Sequence, residues 1–164
     1  NLIIKKSLLN DKMVIRIAEM PEDQQIPEIW SYSVSPEENS VIYLQEIKKE
    51  LKVAYESYDF YNRNKNNPDI IFIQPENDLE SIIIRNRRPG DRIKIQNGTK
   101  KIKELMIEKK LDTGIKNTIP LIVADDQIAA YLPGLVNSNN NRVSCNFYIR
   151  DDTKRILAFF FRDY

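Results

Sequence analysis

The stretch Ile84-Arg85-Asn86-Arg87-Arg88-Pro89-Gly90-Asp91-Arg92-Ile93, followed seven residues later by Lys100-Lys101-Ile102-Lys103-Glu104-Leu105, gathers positive charge in a chain that is otherwise acidic. Between Arg85 and Lys110 ten Lys or Arg stand against three acids, a local net charge of +7. The whole chain carries +1, so the other residues together carry −6. A nearly neutral protein with one segregated basic segment has a sided electrostatic field, the usual footprint of a phosphate-rich partner. RNA is the first expectation.

The same stretch sets the fold. Residues 81–87 read as a strand, Pro89-Gly90-Asp91 as a turn in which Gly90 supplies a positive φ and Asp91 bonds nearby amides or orients Arg92, and residues 92–95 as the next strand. If the first strand alternates through its arginines, Arg85 and Arg87 emerge on one face about 6.5 to 7 Å apart, the spacing of adjacent phosphates. After a turn at Asn97-Gly98, Thr99 reads as the N-cap of a helix running to about Lys110, with Ile102, Leu105 and Met106 as its apolar stripe. Lysines at the start of a helix oppose its dipole, a cost that a bound phosphate would offset.

Further out, strand-like runs occupy residues 14–17, 29–34, 41–44, 51–58, 70–73, 121–124, 128–131, 143–149 and 156–161, the last pair joined as a hairpin through Asp151-Asp152-Thr153-Lys154. These runs predict an α+β fold of small, mostly antiparallel sheets with one or two short helices, in two small subdomains. A polar stretch, Asn62 to Asp69, marks either a long surface loop or a boundary, which would divide the chain into a β-rich unit over 1–68 and an α+β unit over 69–164.

Composition removes many chemistries. The chain has 164 residues, no His and one Cys. Intrachain disulfides, Ser-His and Cys-His nucleophiles and His-metal sites are therefore excluded. Cys145 reads as a structural thiol in a strand. All four glycines (90, 98, 114 and 134) follow residue 89, so no glycine-rich phosphate loop of the Rossmann or Walker type is present. No apolar run is long enough to span a bilayer and no signal segment follows Lys5 and Lys6, which predicts a cytoplasmic location. The opening Asn1 in place of Met is expected of a fragment of something longer.

Charge runs are commonly solvated surface, and Lys109 and Lys110 at a helix C-terminus fit that reading. Arg85, Arg87, Arg88 and Arg92 differ, because four guanidiniums in eight residues with one acid repel one another unless a partner is supplied, and Arg suits bidentate phosphate contact. Asp125-Asp126 and Asp151-Asp152 read as turns rather than as paired catalytic carboxylates. Trp30, Tyr32 and Tyr43 either stack a base or pack within β structure, the second being commoner.

Read together, residues 84–93, Gly98-Thr99-Lys100-Lys101-Ile102-Lys103-Glu104-Leu105-Met106, Ile119-Pro120-Leu121-Ile122-Val123 and Tyr131-Leu132-Pro133-Gly134 resemble, in order and spacing over about residues 70–136, the C-terminal region of bacterial tRNA(Ile)-lysidine synthetases. The resemblance implies a parent protein whose N-terminal part uses ATP to adenylate the wobble cytidine of an isoleucine tRNA before lysine displaces AMP. It implies C-terminal domains that hold the tRNA, the last against the acceptor stem, with no catalysis and no cofactor in this part. By position, Arg85, Arg87, Arg88, Arg92, Lys100, Lys101 and Lys103 would face RNA phosphates, while Gly90, Asp91, Gly98 and Gly134 would shape turns. Two positions depart from the family pattern: Lys116 stands where an arginine is usual, keeping charge but losing a bidentate fork, and Tyr131-Leu132 replaces the usual Trp before Pro-Gly. A stand-alone basic-face module for RNA or an acidic protein is the rival reading. The synthetase reading predicts that Arg85→Glu with Arg87→Glu weakens tRNA binding without unfolding the protein.

Overall fold

A computed structural model describes the backbone of residues 2–9, 12–19, 29–38, 41–137 and 139–164, with side chains from residue 29 onward. Its strands are β1 (Leu2–Leu9), β2 (Lys12–Glu19), β3 (Ser31–Val34), β4 (Val41–Leu44), β5 (Lys49–Glu56), β6 (Ile70–Ile73), β7 (Ile82–Arg85), β8 (Arg92–Ile95), β9 (Gly98–Lys101), β10 (Leu121–Ala124), β11 (Gln127–Tyr131), β12 (Arg142–Val143) and β13 (Ile156–Asp163). The α-helices among the described residues are α1 (Tyr58–Asn64), α2 (Ile102–Glu108) and α3 (Thr113–Lys116), with short 3-10 turns at Gln45–Ile47, Pro133–Leu135 and Cys145–Phe147. β1 and β2 pair with each other as an antiparallel ribbon. The α+β class expected from the sequence holds.

Two larger sheets share one core. One runs in the order β3-β7-β10-β11-β8-β9 with β12 also on β11, and the other in the order β4-β5-β13-β6. Alternation along single strands places the layers. In β13, Leu157, Phe159 and Phe161 enter the core between the sheets, whereas Ile156 and Ala158 turn to the opposite face, where Phe60 and Tyr61 of α1 pack. In β10, Ile122 and Ala124 face the shared core, while Leu121 and Val123 meet Ile102, Leu105 and Met106 of α2. The layers therefore run α1, four-stranded sheet, seven-stranded sheet, α2. Covering both faces explains why β10 and much of β13 are continuous apolar runs instead of alternating ones.

Several local expectations need correction. Strands from either side of residue 68 pair in both larger sheets, β3 with β7 and β5 with β13, so strand pairing does not break there. The polar stretch begins inside α1, which Ser57 caps by accepting from the Phe60 N–H at 3.1 Å. Thr99 is not an N-cap: residues 98–101 pair with β8, and α2 starts only at Ile102. Asn-Gly followed by alternating residues is a hairpin signal, and the ladder it starts takes precedence over the helix start. Residues 143–149 form no continuous strand, and half-buried Cys145 lies on a short 3-10 turn (Cys145–Phe147). Residues 151–154 join no hairpin, since β13 pairs with β5 and β6.

Candidate nucleic-acid interface

The basic segment divides into a turn and a hairpin. β7 ends at Arg85, and the chain reverses through Arg88-Pro89-Gly90-Asp91, where the Asp91 N–H donates to the Arg88 carbonyl at 3.2 Å. Pro89 presets the second position and Gly90, at φ +85°, takes the left-handed third, as in a type II turn. The turn returns Asp91 to Arg85. Nη1 and Nη2 of Arg85 donate to the two carboxylate oxygens of Asp91 at 2.7 and 2.9 Å, and the Arg88 N–H donates to the same carboxylate at 2.7 Å. Both side chains of the pair are largely buried, at 16% and 11% exposure. Asp91 also accepts, through its carbonyl, the Ile102 N–H at 3.0 Å, which ties the turn to the start of α2.

Arg88 points inward as well. Its guanidinium donates to the Asn86 side-chain oxygen and, at 3.3 Å, to the Trp30 carbonyl. Buried Asn86 in turn accepts the Trp30 N–H at 3.3 Å and donates to the Asn117 carbonyl at 3.2 Å, where the Trp30 indole N–H also donates at 3.2 Å. Burial and the nearby Arg85 charge pull the Arg88 guanidinium below its ordinary pKa, partly opposed by Asp91. Arg85 and Arg87 therefore do not form the two-pronged strand face expected from alternation: the strand stops at Arg85, whose fork is occupied, and half-buried Arg87 lies between the strand end and the turn. Asp91 holds Arg85 and the Arg88 amide, and among the described residues no hydrogen bond or ion pair joins it to Arg92.

The hairpin is different. In β8, Ile93 is fully buried while Arg92 and Lys94 on either side are exposed. Across the ladder Arg92 stands opposite Lys101 and Lys94 opposite Thr99. Like charges directly opposite on a strand pair are destabilising. Among the described residues none of Arg92, Lys94, Lys101 or the neighbouring exposed Lys103 is in an ion pair, whereas Lys100, on the other face of β9, meets Glu108 of α2 at 3.1 Å. Lys94 was not singled out by the sequence reading, although its alternation with Arg92 around Ile93 was there to be seen. Gly98, at φ +134°, sits at the hairpin bend. An open groove of about 570 Å³ borders this face, lined by Asp91, Arg92, Lys94 and Thr99 on one side and by Asp126, Gln127, Ser144 and Asn146 on the other, so that its charged lining is mixed.

Of the remaining candidates, only Asp126 borders the groove. Lys116 closes α3, half-buried. The N–H of Gly134 donates to the Asn141 side chain at 2.8 Å, and a Cβ on Gly134 would lie 2.7 Å from the Asn139 carbonyl, so only glycine fits. Asp125 and Asp126 are the two left-handed residues of the β10–β11 turn, at φ 43° and 65°, and Asp125 accepts the N–H groups of Glu80 and Ser81 at 2.9 and 2.8 Å. Among the described residues no group of three or more acids or cysteines could hold a metal. Trp30 is buried and Tyr32 donates to Glu46 at 2.8 Å, so both are structural; exposed Tyr43 meets Tyr164 edge-on, with ring centroids 5.2 Å apart.

Residues 82–144, which contain the turn, the hairpin and α2, match the family described as the TilS substrate C-terminal domain. The resemblance to the C-terminal region of tRNA(Ile)-lysidine synthases is shown. The tRNA(Ile)-lysidine synthase of Clostridioides difficile is 29% identical over 119 residues, 73% of this chain and 24% of that protein. That of Thermotoga maritima is 36% identical over 56 residues, 34% of this chain and 14% of that protein. A solved structure titled "Crystal structure of TILS C-terminal domain" superposes with a TM-score of 0.63 at 21% identity, covering 83% of this chain and 98% of that one, which shows a shared fold. The chain thus spans about a quarter or less of the curated relatives described here. Among the described residues no helix is long and apolar enough to cross a membrane.

Proposed function

We propose that this chain holds an isoleucine tRNA by its acceptor stem as the C-terminal part of a tRNA(Ile)-lysidine synthase. The observation that carries this reading is the cross-strand charge of the β8–β9 hairpin: Arg92 faces Lys101, with Lys94 and Lys103 beside them, and among the described residues no carboxylate is paired to any of the four. Such an arrangement costs stability in the free protein and is relieved by polyanion binding. An A-form stem offers phosphates and 2′-hydroxyls across a shallow minor groove, and a two-stranded ribbon of cations is suited to backbone contact without base reading. Arg92, Lys94, Lys101 and Lys103 are the proposed contacts, with Arg87 as an outer one; Lys100, paired to Glu108 on the other face of β9, and Lys116 on α3 would reach RNA only beyond this face. Arg85 and Arg88 hold the turn behind them.

In this reading ATP and lysine are handled elsewhere in the synthase, where the wobble cytidine is adenylated and lysine then joined to it, and this part orients the substrate. The test is binding of the chain to an isoleucine tRNA and to its acceptor-stem minihelix, with duplex DNA as control. Salt-sensitive binding to both RNAs, weakened at least tenfold by Arg92→Glu with Lys94→Glu, is the expected result. Equal binding of the DNA, or affinity unmoved by those substitutions, would overturn it.

A further inference from the structure

A second cavity adjoins the groove beside the β8–β9 hairpin across a shared wall. β10 occupies one edge of β11, so β8, paired at Ile128, and β12, paired at Ala130 and Tyr131, must both lie along its other edge. The segment that continues from β12 has two sides. Ser144 and Asn146 line that groove, while Asn141, Val143 and Tyr148 line a separate open pocket of about 450 Å³. The far wall of that pocket is the end of α1 and the loop after it, including Tyr61, Lys65 and Asn67.

The pocket's chemistry differs from that of the groove. Two tyrosines flank it, and none of its described lining residues is acidic. Tyr61 is fixed, its ring edge-on to Phe72 with centroids 5.2 Å apart, whereas Tyr148 is 38% exposed with no ring contact among the described residues. Asn67 and Asn141 each commit the side-chain oxygen to a backbone donor, the Asp69 N–H at 3.0 Å and the Gly134 N–H at 2.8 Å. Their NH₂ donors are left without a partner among the described residues, in amides whose orientation is set. An aromatic face, fixed amide donors, a lysine and no carboxylate match an unpaired nucleobase, which stacks on its π-face and presents ring-nitrogen and carbonyl acceptors at its edge.

We infer that this pocket takes an unpaired nucleotide of the RNA strand whose phosphates lie along the β8–β9 hairpin, with the base stacked on Tyr148 and met by the amides of Asn67 and Asn141. The inference rests on the RNA reading above but uses a different set of residues. It adds recognition of a single-stranded extension to backbone contact with a stem, so stem and extension would be gripped on the two sides of one segment, residues 141–149.

The test measures the anisotropy of three labelled RNAs with the 164-residue chain: a blunt duplex, the same duplex with a short single-stranded 3′ extension, and the extension alone. The extension is expected to tighten duplex binding about tenfold. Tyr148→Ala should remove that gain and leave blunt-duplex affinity and Tm unchanged, while Tyr148→Trp should keep it. Lys65→Glu, on an exposed loop, is a second variant that should reduce the gain should Tyr148→Ala lower Tm. An extension that adds nothing, or a gain that survives both Tyr148→Ala and Lys65→Glu, overturns the pocket. If neither duplex binds, the basic-face reading fails by itself and the isolated extension decides: Tyr148-dependent binding upholds the pocket and no binding overturns it.

Discussion

In the turn after β7, Arg85 and Arg88 both end on oxygen acceptors inside the protein; in the hairpin that follows, Arg92 and Lys101 face each other with no ion pair to either. Both regions come from one run of basic sequence. Their difference teaches that counting charges locates a basic segment without telling which of its charges are available. Arg85 is neutralised because Pro89-Gly90 bends the chain until Asp91, six residues on, fits its fork at two points. The acids that flank the hairpin in sequence are engaged elsewhere or not paired to it: Asp91, next to Arg92, holds Arg85, Glu108 of α2 is paired to Lys100, and Glu104 is in no ion pair among the described residues.

The sharpest way to break this comparison is Asp91→Ala. It leaves the Arg85 guanidinium largely buried without its counter-ion and frees the Arg88 amide, which should cost about 3 kcal/mol of stability, read by urea denaturation. Arg92→Ala should stay within about 0.5 kcal/mol of the parent. Equal losses would remove the distinction between scaffold and surface. The expectation that Arg85→Glu with Arg87→Glu spares the fold is withdrawn for the same reason, since a glutamate at 85 would meet Asp91.

A second experiment exploits the like-charge pair itself. Lys101→Glu places a carboxylate opposite Arg92, so it should raise stability by roughly 0.2 to 1 kcal/mol while weakening RNA binding severalfold. A variant more stable and less able to bind is the signature of charge kept for a partner. Loss of stability on this substitution would mean that Lys101 has a structural role.

The smallest predicted effect lies under the sheet. The Tyr131 hydroxyl is buried without a hydrogen-bond partner among the described residues, and burial raises its pKa from 10.0 to about 12. Because the folded-state value is the higher one, this group's contribution is fully present below pH 10.0 and lost as pH rises toward about 12. Tyr131→Phe should remove that alkaline loss and be neutral or slightly stabilising at pH 7, because a buried unpaired hydroxyl is itself costly. Unfolding curves for the two proteins that stay parallel from pH 9 to 12 would contradict this.

Much of the fold was legible locally. The apolar runs at 121–124 and 156–161 marked strands buried on both faces, and Asn97-Gly98 marked a bend. What could not be read was partnership. β13 pairs with β5 about a hundred residues earlier, and nothing in either strand's own pattern names the other. α1 was hidden because Tyr58, Phe60 and Tyr61 extend an alternating run, although Ser57 followed by Asp59 is a helix-start signal. At the candidate site, composition marked the basic segment and the arginine cluster that includes Arg92, but not which of its charges are paired. The pairing of Arg85 with Asp91 required the turn to be followed in space, and the lining of the Tyr148 pocket required the placement of α1.

The most direct test of the central claim is the salt dependence of isoleucine tRNA binding between about 50 and 200 mM, measured side by side for the parent chain, for Arg92→Ala with Lys94→Ala and Lys101→Ala, and for Arg85→Lys. If the hairpin carries the phosphate contacts, the triple variant should lose up to three phosphate contacts from the slope of log affinity against log salt, while Arg85→Lys leaves the slope unchanged. A slope unmoved by the triple variant, or reduced equally by Arg85→Lys, would contradict the account.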